Sequence, residues 1–346
     1  MPDTPLSIKK NTAARLKKYG LFSDKTINAV SLVAEKQAAY TSYREYFKDV
    51  GITGTTLHVT EKGSGVPVVD IAPKVFKKFR KSQSSTVLVV HLPMSNPLDG
   101  NQLYCIATLA SLFPERRIVG FGNPSGGRYN FSQQNLTFLK RLKIAFTKNS
   151  YPLVEAELDY LRTQNIATAY HIGYSYGAAK ALFFSKYATQ GAIIGALCID
   201  PATHPRSIRQ LIRDFKETLL PLGKYVNRTK ITTYFEARRD AAKEHYHKNG
   251  LKRQINIAIG LAVARLDFIP LLKAVLIRHP AMKVAVAWGS KSELGDDAYM
   301  TTELNQVKTD MPGRVQPFRL EGDTHALAND IHLYGALVYE SLNKDS

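Results

Sequence analysis

Gly173-Tyr174-Ser175-Tyr176-Gly177 sets one serine between two glycines in the pattern G-x-S-x-G. A serine hydroxyl attacks a carbonyl efficiently only when the backbone thrusts it outward beside a base that takes its proton. The turn that does this joins a strand to a helix and holds the serine, strained, at the carboxyl edge of a sheet. Such a turn needs small neighbours. Gly173 and Gly177 supply them, and Ala178 and Ala179 let the following helix pack closely. The base needs a carboxylate to orient it. His325, in Leu320-Glu321-Gly322-Asp323-Thr324-His325-Ala326, is the best base: it follows a strand by a few residues and precedes the last helix. The other histidines are less suitably placed. His171 sits inside the strand before the turn, His245 and His247 fall in a polar helix, His332 lies in the terminal helix, and His91 ends the first long strand.

The elements that must position Ser175 and His325 are legible as an alternation. Thr86-Val87-Leu88-Val89-Val90-His91 is a nearly continuous apolar run, as expected of a parallel strand covered on both faces. Further strands read at 117–121, 167–172 and 192–199, and helices at 103–112, 136–146, 153–161 and 178–187, with a loop at 123–127. Strand–helix alternation of this kind gives a mainly parallel sheet with helices on both faces. Residues 202–280 interrupt it. Ile208, Leu211, Ile212, Phe215 and Leu219 recur at helical spacing, and more helices read near 232–247, 251–265 and 268–278. The sheet resumes at 283–288 and 315–320, and a terminal helix covers about 330–342. Upstream, residues 1–50 read as helical, with Tyr40, Tyr43, Tyr46 and Phe47 expected on one helix face. Segments 56–60 and 66–71 flank Gly63-Ser64-Gly65 as a hairpin, and 74–81 is a basic helix carrying Phe76 and Phe79. The resulting division is a helical and hairpin extension over 1–85, a core over 86–201 and 281–346, and a helical insertion over 202–280.

A chain of 346 residues with 44% hydrophobic residues has room for one large α/β core. Cys105 and Cys198 lie far apart, match no metal spacing and suggest no disulfide framework, which suits a reducing compartment. The first residues show no apolar core of signal-peptide length, and no stretch approaches the roughly 20 apolar residues of a membrane span. The expectation is a soluble, cytoplasmic protein that needs no cofactor and no metal. Its net charge of +18 would favour nucleic acid or an anionic surface as a partner. The Lys and Arg residues are spread over several segments without a nucleic-acid motif, so a solvated basic surface is the preferred reading.

The elbow at 173–177, the histidine loop at 322–325 and the order nucleophile, acid, histidine resemble the α/β-hydrolase superfamily over roughly residues 86–340. The resemblance makes 202–280 a helical cap inserted after the sixth strand. It implies a serine hydrolase, esterase-like or lipase-like, acting on a small-molecule ester or related acyl bond. Many members end the strand after the cap in G-x-x-D, whose Asp orients the histidine. Here the match is Gly289-Ser290-Lys291-Ser292, with serine in the acid's place. Glu293, one residue on, is the favoured substitute, followed by Asp296 and then Asp200, at the end of the strand before the cap. Members commonly place His-Gly-X after the first long strand, where X donates an N–H to the oxyanion. This chain reads His91-Leu92-Pro93-Met94, and Pro93 has no N–H, which leaves Met94, or a reorganised loop through Ser95, to donate beside Tyr176. The alternative reading is a non-catalytic protein of the same fold that binds a partner, such as a polyanion, through its basic surface. Peptidase and cofactor-free haloperoxidase chemistry stay open on the same fold.

Overall fold

The computed structural model describes residues 5–40, 42–61, 64–73, 86–92, 100–122, 151–189, 192–203, 267–292 and 294–343. Three helices come first: α1 (Pro5–Lys17), α2 (Asp24–Ala38) and α3 (Tyr43–Asp49). Then follow β1 (Thr56–Val59), β2 (Gly65–Ile71), β3 (Val87–His91), α4 (Gly100–Leu112) and β4 (Ile118–Phe121). The centre of the chain forms α5 (Tyr151–Thr163), β5 (Ala169–Tyr174), α6 (Tyr176–Tyr187) and β6 (Ile193–Ile199). The last part forms α7 (Phe268–Arg278), β7 (Lys283–Gly289), α8 (Asp297–Asp310), β8 (Val315–Leu320), a 3₁₀ turn (His325–Asn329) and α9 (Ile331–Asn343).

The strands make one eight-stranded sheet in the order β1-β2-β4-β3-β5-β6-β7-β8. From β4 to β8 all pairings are parallel, whereas β1 and β2 join antiparallel at one edge. The hairpin therefore belongs to the same sheet as the core, and the sheet runs across the boundary expected at residue 85. Both faces are covered, which is why the strands read as unbroken apolar runs. Leu88, Val90, Tyr170, Ile172, Leu197 and Ile199 face α4, α9 and the amino-terminal helices. Val87, Val89, Ala169, Ala196, Cys198 and Val286 alternate with them and face α5 to α8. Each such Val, Ile or Leu contributes about 1.5–3 kcal/mol relative to an exposed position.

Three expectations change. Tyr40 does not share one helix with Tyr43, Tyr46 and Phe47: α2 ends at Ala38, and Ser42 opens α3 by accepting a bond from the Glu45 N–H at 3.3 Å. The cause is a Ser-x-x-Glu helix start inside what reads as a continuous aromatic stripe. Helix α7, expected at the end of the cap, packs into the body with α6; Phe268, Leu272 and Leu276 are fully buried there. Helix α8 has no counterpart in the sequence reading. Residues 204–266, and with them most of the expected cap, lie outside the described residues, as do the basic helix at 74–81, the loop at 123–127 and the helix at 136–146.

Candidate active site

Ser175 stands between β5 and α6 with φ 57° and ψ −122°, a left-handed conformation that costs a non-glycine residue about 1–3 kcal/mol. The glycines explain how the turn closes. A Cβ on Gly173 would sit 2.1 Å from the Gly177 carbonyl oxygen, and one on Gly177 would sit 2.2 Å from the His91 carbonyl oxygen. Both are backbone obstacles that cannot swing aside. The Ser175 side chain occupies the cap position of α6 but makes no capping bond, so its hydroxyl is not spent on the helix. Its own N–H bonds the Ile199 carbonyl at 2.8 Å and ties the turn to the end of β6.

Parallel order brings the other groups to the same edge. β5, β6, β7 and β8 are consecutive neighbours, so the residues just beyond their carboxyl ends form one row. Ser175 follows β5, Asp200 follows β6, Ser292 follows β7 and His325 follows β8. Asp200 is fully buried and also has a positive φ, 44°. Among the described residues only Asn165, in a turn after α5, shares that backbone region without being glycine.

His325 Nδ1 bonds Asp200 Oδ2. With Asp200 ionised the shared proton resides on Nδ1, which makes Nε2 the basic nitrogen of the ring. The carboxylate has two further partners: the Ser292 hydroxyl donates to Oδ2 at 2.6 Å and the Gly289 N–H to Oδ1 at 3.3 Å. Ser292, the serine in the expected acid's place, thus serves Asp200. Its oxygen also accepts from the N–H groups of Leu294 and Gly295 at 3.2 and 3.3 Å, which fixes the loop after β7. Asp296 is engaged elsewhere: it caps α8 and accepts the Tyr299 N–H at 2.9 Å. Glu293 and Met94 lie outside the described residues.

Tyr174 links the turn to the histidine loop. Its hydroxyl donates to the His325 carbonyl, and the two rings stack at 5.1 Å between centroids. Gly289 allows the same loop to approach, because a Cβ there would lie 2.3 Å from the Asp323 carbonyl oxygen. Lys291 N–H bonds that oxygen at 2.8 Å. Tyr176 opens α6, whose first N–H groups have no partner within the helix. Its phenol is buried, and burial together with the charge of Glu157 holds it far above the ordinary tyrosine range, hence neutral. The support given by Ser292 and Tyr174 escapes sequence reading. The serine was visible only as a departure from G-x-x-D, and the tyrosine only as a neighbour of Ser175.

No family model and no curated relative matches the chain. Solved structures do. A carboxylesterase from the ammonia-oxidising thaumarchaeon Nitrososphaera gargenis superposes with a TM-score of 0.54 at 16% identity, over 83% of this chain and 96% of its own. MGS-M2, an α/β-hydrolase enzyme from a Medee basin deep-sea metagenome library, gives 0.57 at 12% identity, over 83% and 97%. An AqdC variant that cleaves the ring of the Pseudomonas quinolone signal gives 0.59 at 14% identity, over 84% and 99%. The chain has the α/β-hydrolase fold.

Proposed function

We propose that the protein is a serine hydrolase that cleaves a carboxylic ester through an acyl-enzyme on Ser175. The observation that carries this reading is the bond between His325 and the buried Asp200 at the sheet edge where Ser175 stands strained and uncapped. In this reading His325 Nε2 takes the proton of the Ser175 hydroxyl as the oxygen attacks the ester carbonyl. Asp200 keeps the opposite proton on Nδ1 and stabilises the imidazolium that forms. The Tyr176 N–H, with that of Met94, receives the negative charge on the carbonyl oxygen. A single oxyanion donor is worth about 10²–10³ in rate. His325 then gives its proton to the leaving alcohol. Water repeats the sequence on the acyl-enzyme and releases the acid.

Asp200 is the acid in this proposal, ahead of Glu293 and Asp296. The esterase described for Nitrososphaera gargenis supports ester chemistry, while the ring-cleaving AqdC variant has the same fold with a different reaction. Hydrolysis of p-nitrophenyl esters from acetate to decanoate is the test. Turnover that peaks at one chain length and disappears in Ser175→Ala supports the proposal; equal turnover in Ser175→Ala overturns it.

A further inference from the structure

Beneath the elbow, on the α5–α6 face of the sheet, four polar side chains are sealed from solvent. The Lys180 ammonium pairs with Glu157 Oε1, and both side chains are 0–1% exposed. Glu157 Oε2 lies 3.2 Å from His91 Nδ1, close but outside hydrogen-bond alignment. His91 Nε2 meets His171 Nδ1 at 2.8 Å. Phe184 closes the group, with its ring 5.7 Å from His91 and 4.6 Å from His171. Burial holds both imidazoles below their ordinary range, and therefore neutral. The Lys180 charge lowers the Glu157 carboxyl despite burial, so it stays ionised. A carboxylate beside His91 Nδ1 favours a proton there. His91 Nε2 then accepts from His171 Nδ1–H, and His171 Nε2 is left as a bare lone pair with no partner among the described residues.

Stability alone does not account for this group. A buried ion pair is commonly replaceable by apolar side chains of similar volume at no loss, because desolvation offsets the attraction. Its position is more informative. Gly177, Lys180 and Phe184 stand at i, i+3 and i+7 of one chain segment and share a face of α6. Gly177 touches the His91 carbonyl, Lys180 reaches Glu157 on α5, and Phe184 packs on both imidazoles. The start of α6, whose cap position Ser175 holds, therefore meets the end of β3 by close backbone contact, and Lys180 reaches the same strand end through Glu157 beside His91.

We infer that Glu157, with Lys180 and His91, is a positioning residue that fixes the first turn of α6 on the sheet and so aims Ser175. The inference rests on Ser175 being the nucleophile. Two apolar pairs, Glu157→Met/Lys180→Met and Glu157→Leu/Lys180→Met, remove the charges while keeping bulk. Glu157→Gln/Lys180→Met removes the charges but keeps an amide oxygen facing His91. Each is compared with wild type for thermal midpoint, for the rate of Ser175 modification by a fluorophosphonate, and for kcat and KM on p-nitrophenyl butyrate. The apolar pairs are expected to fold, with kcat and modification rate lowered about 10- to 100-fold and KM unchanged, since a misplaced nucleophile loses rate rather than binding. The glutamine pair is expected to recover most of the loss. Folded apolar pairs with wild-type kcat and KM overturn the inference. So does failure of both apolar pairs to fold, which makes the group a stability element. A wild type that neither reacts nor hydrolyses overturns the serine-hydrolase proposal itself and the positioning role with it.

Discussion

Ser175 and Asp200 carry strained backbones one strand apart, and that strain coincides with the residues proposed for chemistry. Replacing Asp200 by Asn preserves the shape but offers His325 the wrong hydrogen-bond partner, and is expected to lower kcat about 10³–10⁴-fold. Asp296→Ala separates the two carboxylates. It should leave kcat unchanged and lower the urea-unfolding free energy by about 1 kcal/mol, the usual worth of a helix cap. Ester turnover and urea denaturation of both variants check this, and a catalytic collapse in Asp296→Ala would contradict the assignment. The sequence made the turn at Ser175 legible because all five residues that build it are local. The carboxylate facing His325 was legible only as the last of three candidates, because it lies 125 residues away and is brought there by strand order. Serine in place of the expected acid pointed to the two nearest carboxylates in the sequence. In the fold, Ser292 gives its hydroxyl to Asp200 instead.

At the scale of elements, the parallel strands were the most legible feature, because burial on both faces leaves continuous apolar runs. Helix α8 was not. Only Met300, Leu304 and Val307 are buried in it, too narrow a stripe to stand out within a polar segment. The close approach of α6 to β3 gives a direct prediction. Gly177→Ala drives a methyl group into the His91 carbonyl oxygen, an obstacle of backbone rather than side chain. It should destabilise the protein by about 1–3 kcal/mol or more, as overpacking does. Chemical denaturation measures the loss. An alanine variant as stable as wild type would mean that the two segments do not meet as described.

Across the whole molecule, the amino-terminal helices are tied to α9 by buried polar contacts. Glu340 accepts from the Ser23 N–H and hydroxyl, both at 2.9 Å, and from the Thr26 hydroxyl at 2.5 Å. His332 bonds Gln37 Oε1 at 2.8 Å and faces Arg15 and Asp330. Burial pushes the His332 imidazole down to about 4 from the ordinary 6.5. A depressed histidine favours the folded state fully above 6.5. As pH falls from 6.5 towards 4 the unfolded chain binds the proton first, so stability is lost over that window. Urea midpoints at pH 7 and pH 5 should therefore converge in His332→Gln relative to wild type; an unchanged pH difference would remove His332 as a contributor. Among the described residues no helix is long and apolar enough to cross a membrane. The net charge of +18 has no role in the proposed chemistry. The fold was legible as a whole because its order of strands and helices is written in hydrophobic runs. Docking of the amino-terminal helices was not, because Arg15, Gln37 and Glu340 are ordinary polar residues in ordinary helices until the chain closes.

The central claim is that Ser175 is a nucleophile activated by His325. Treating the folded wild-type protein with a fluorophosphonate and mapping the adduct by mass spectrometry tests it most directly. One adduct is expected, on Ser175, and it is lost in His325→Ala. A folded wild-type protein with no adduct, or with the adduct on another residue, would contradict it.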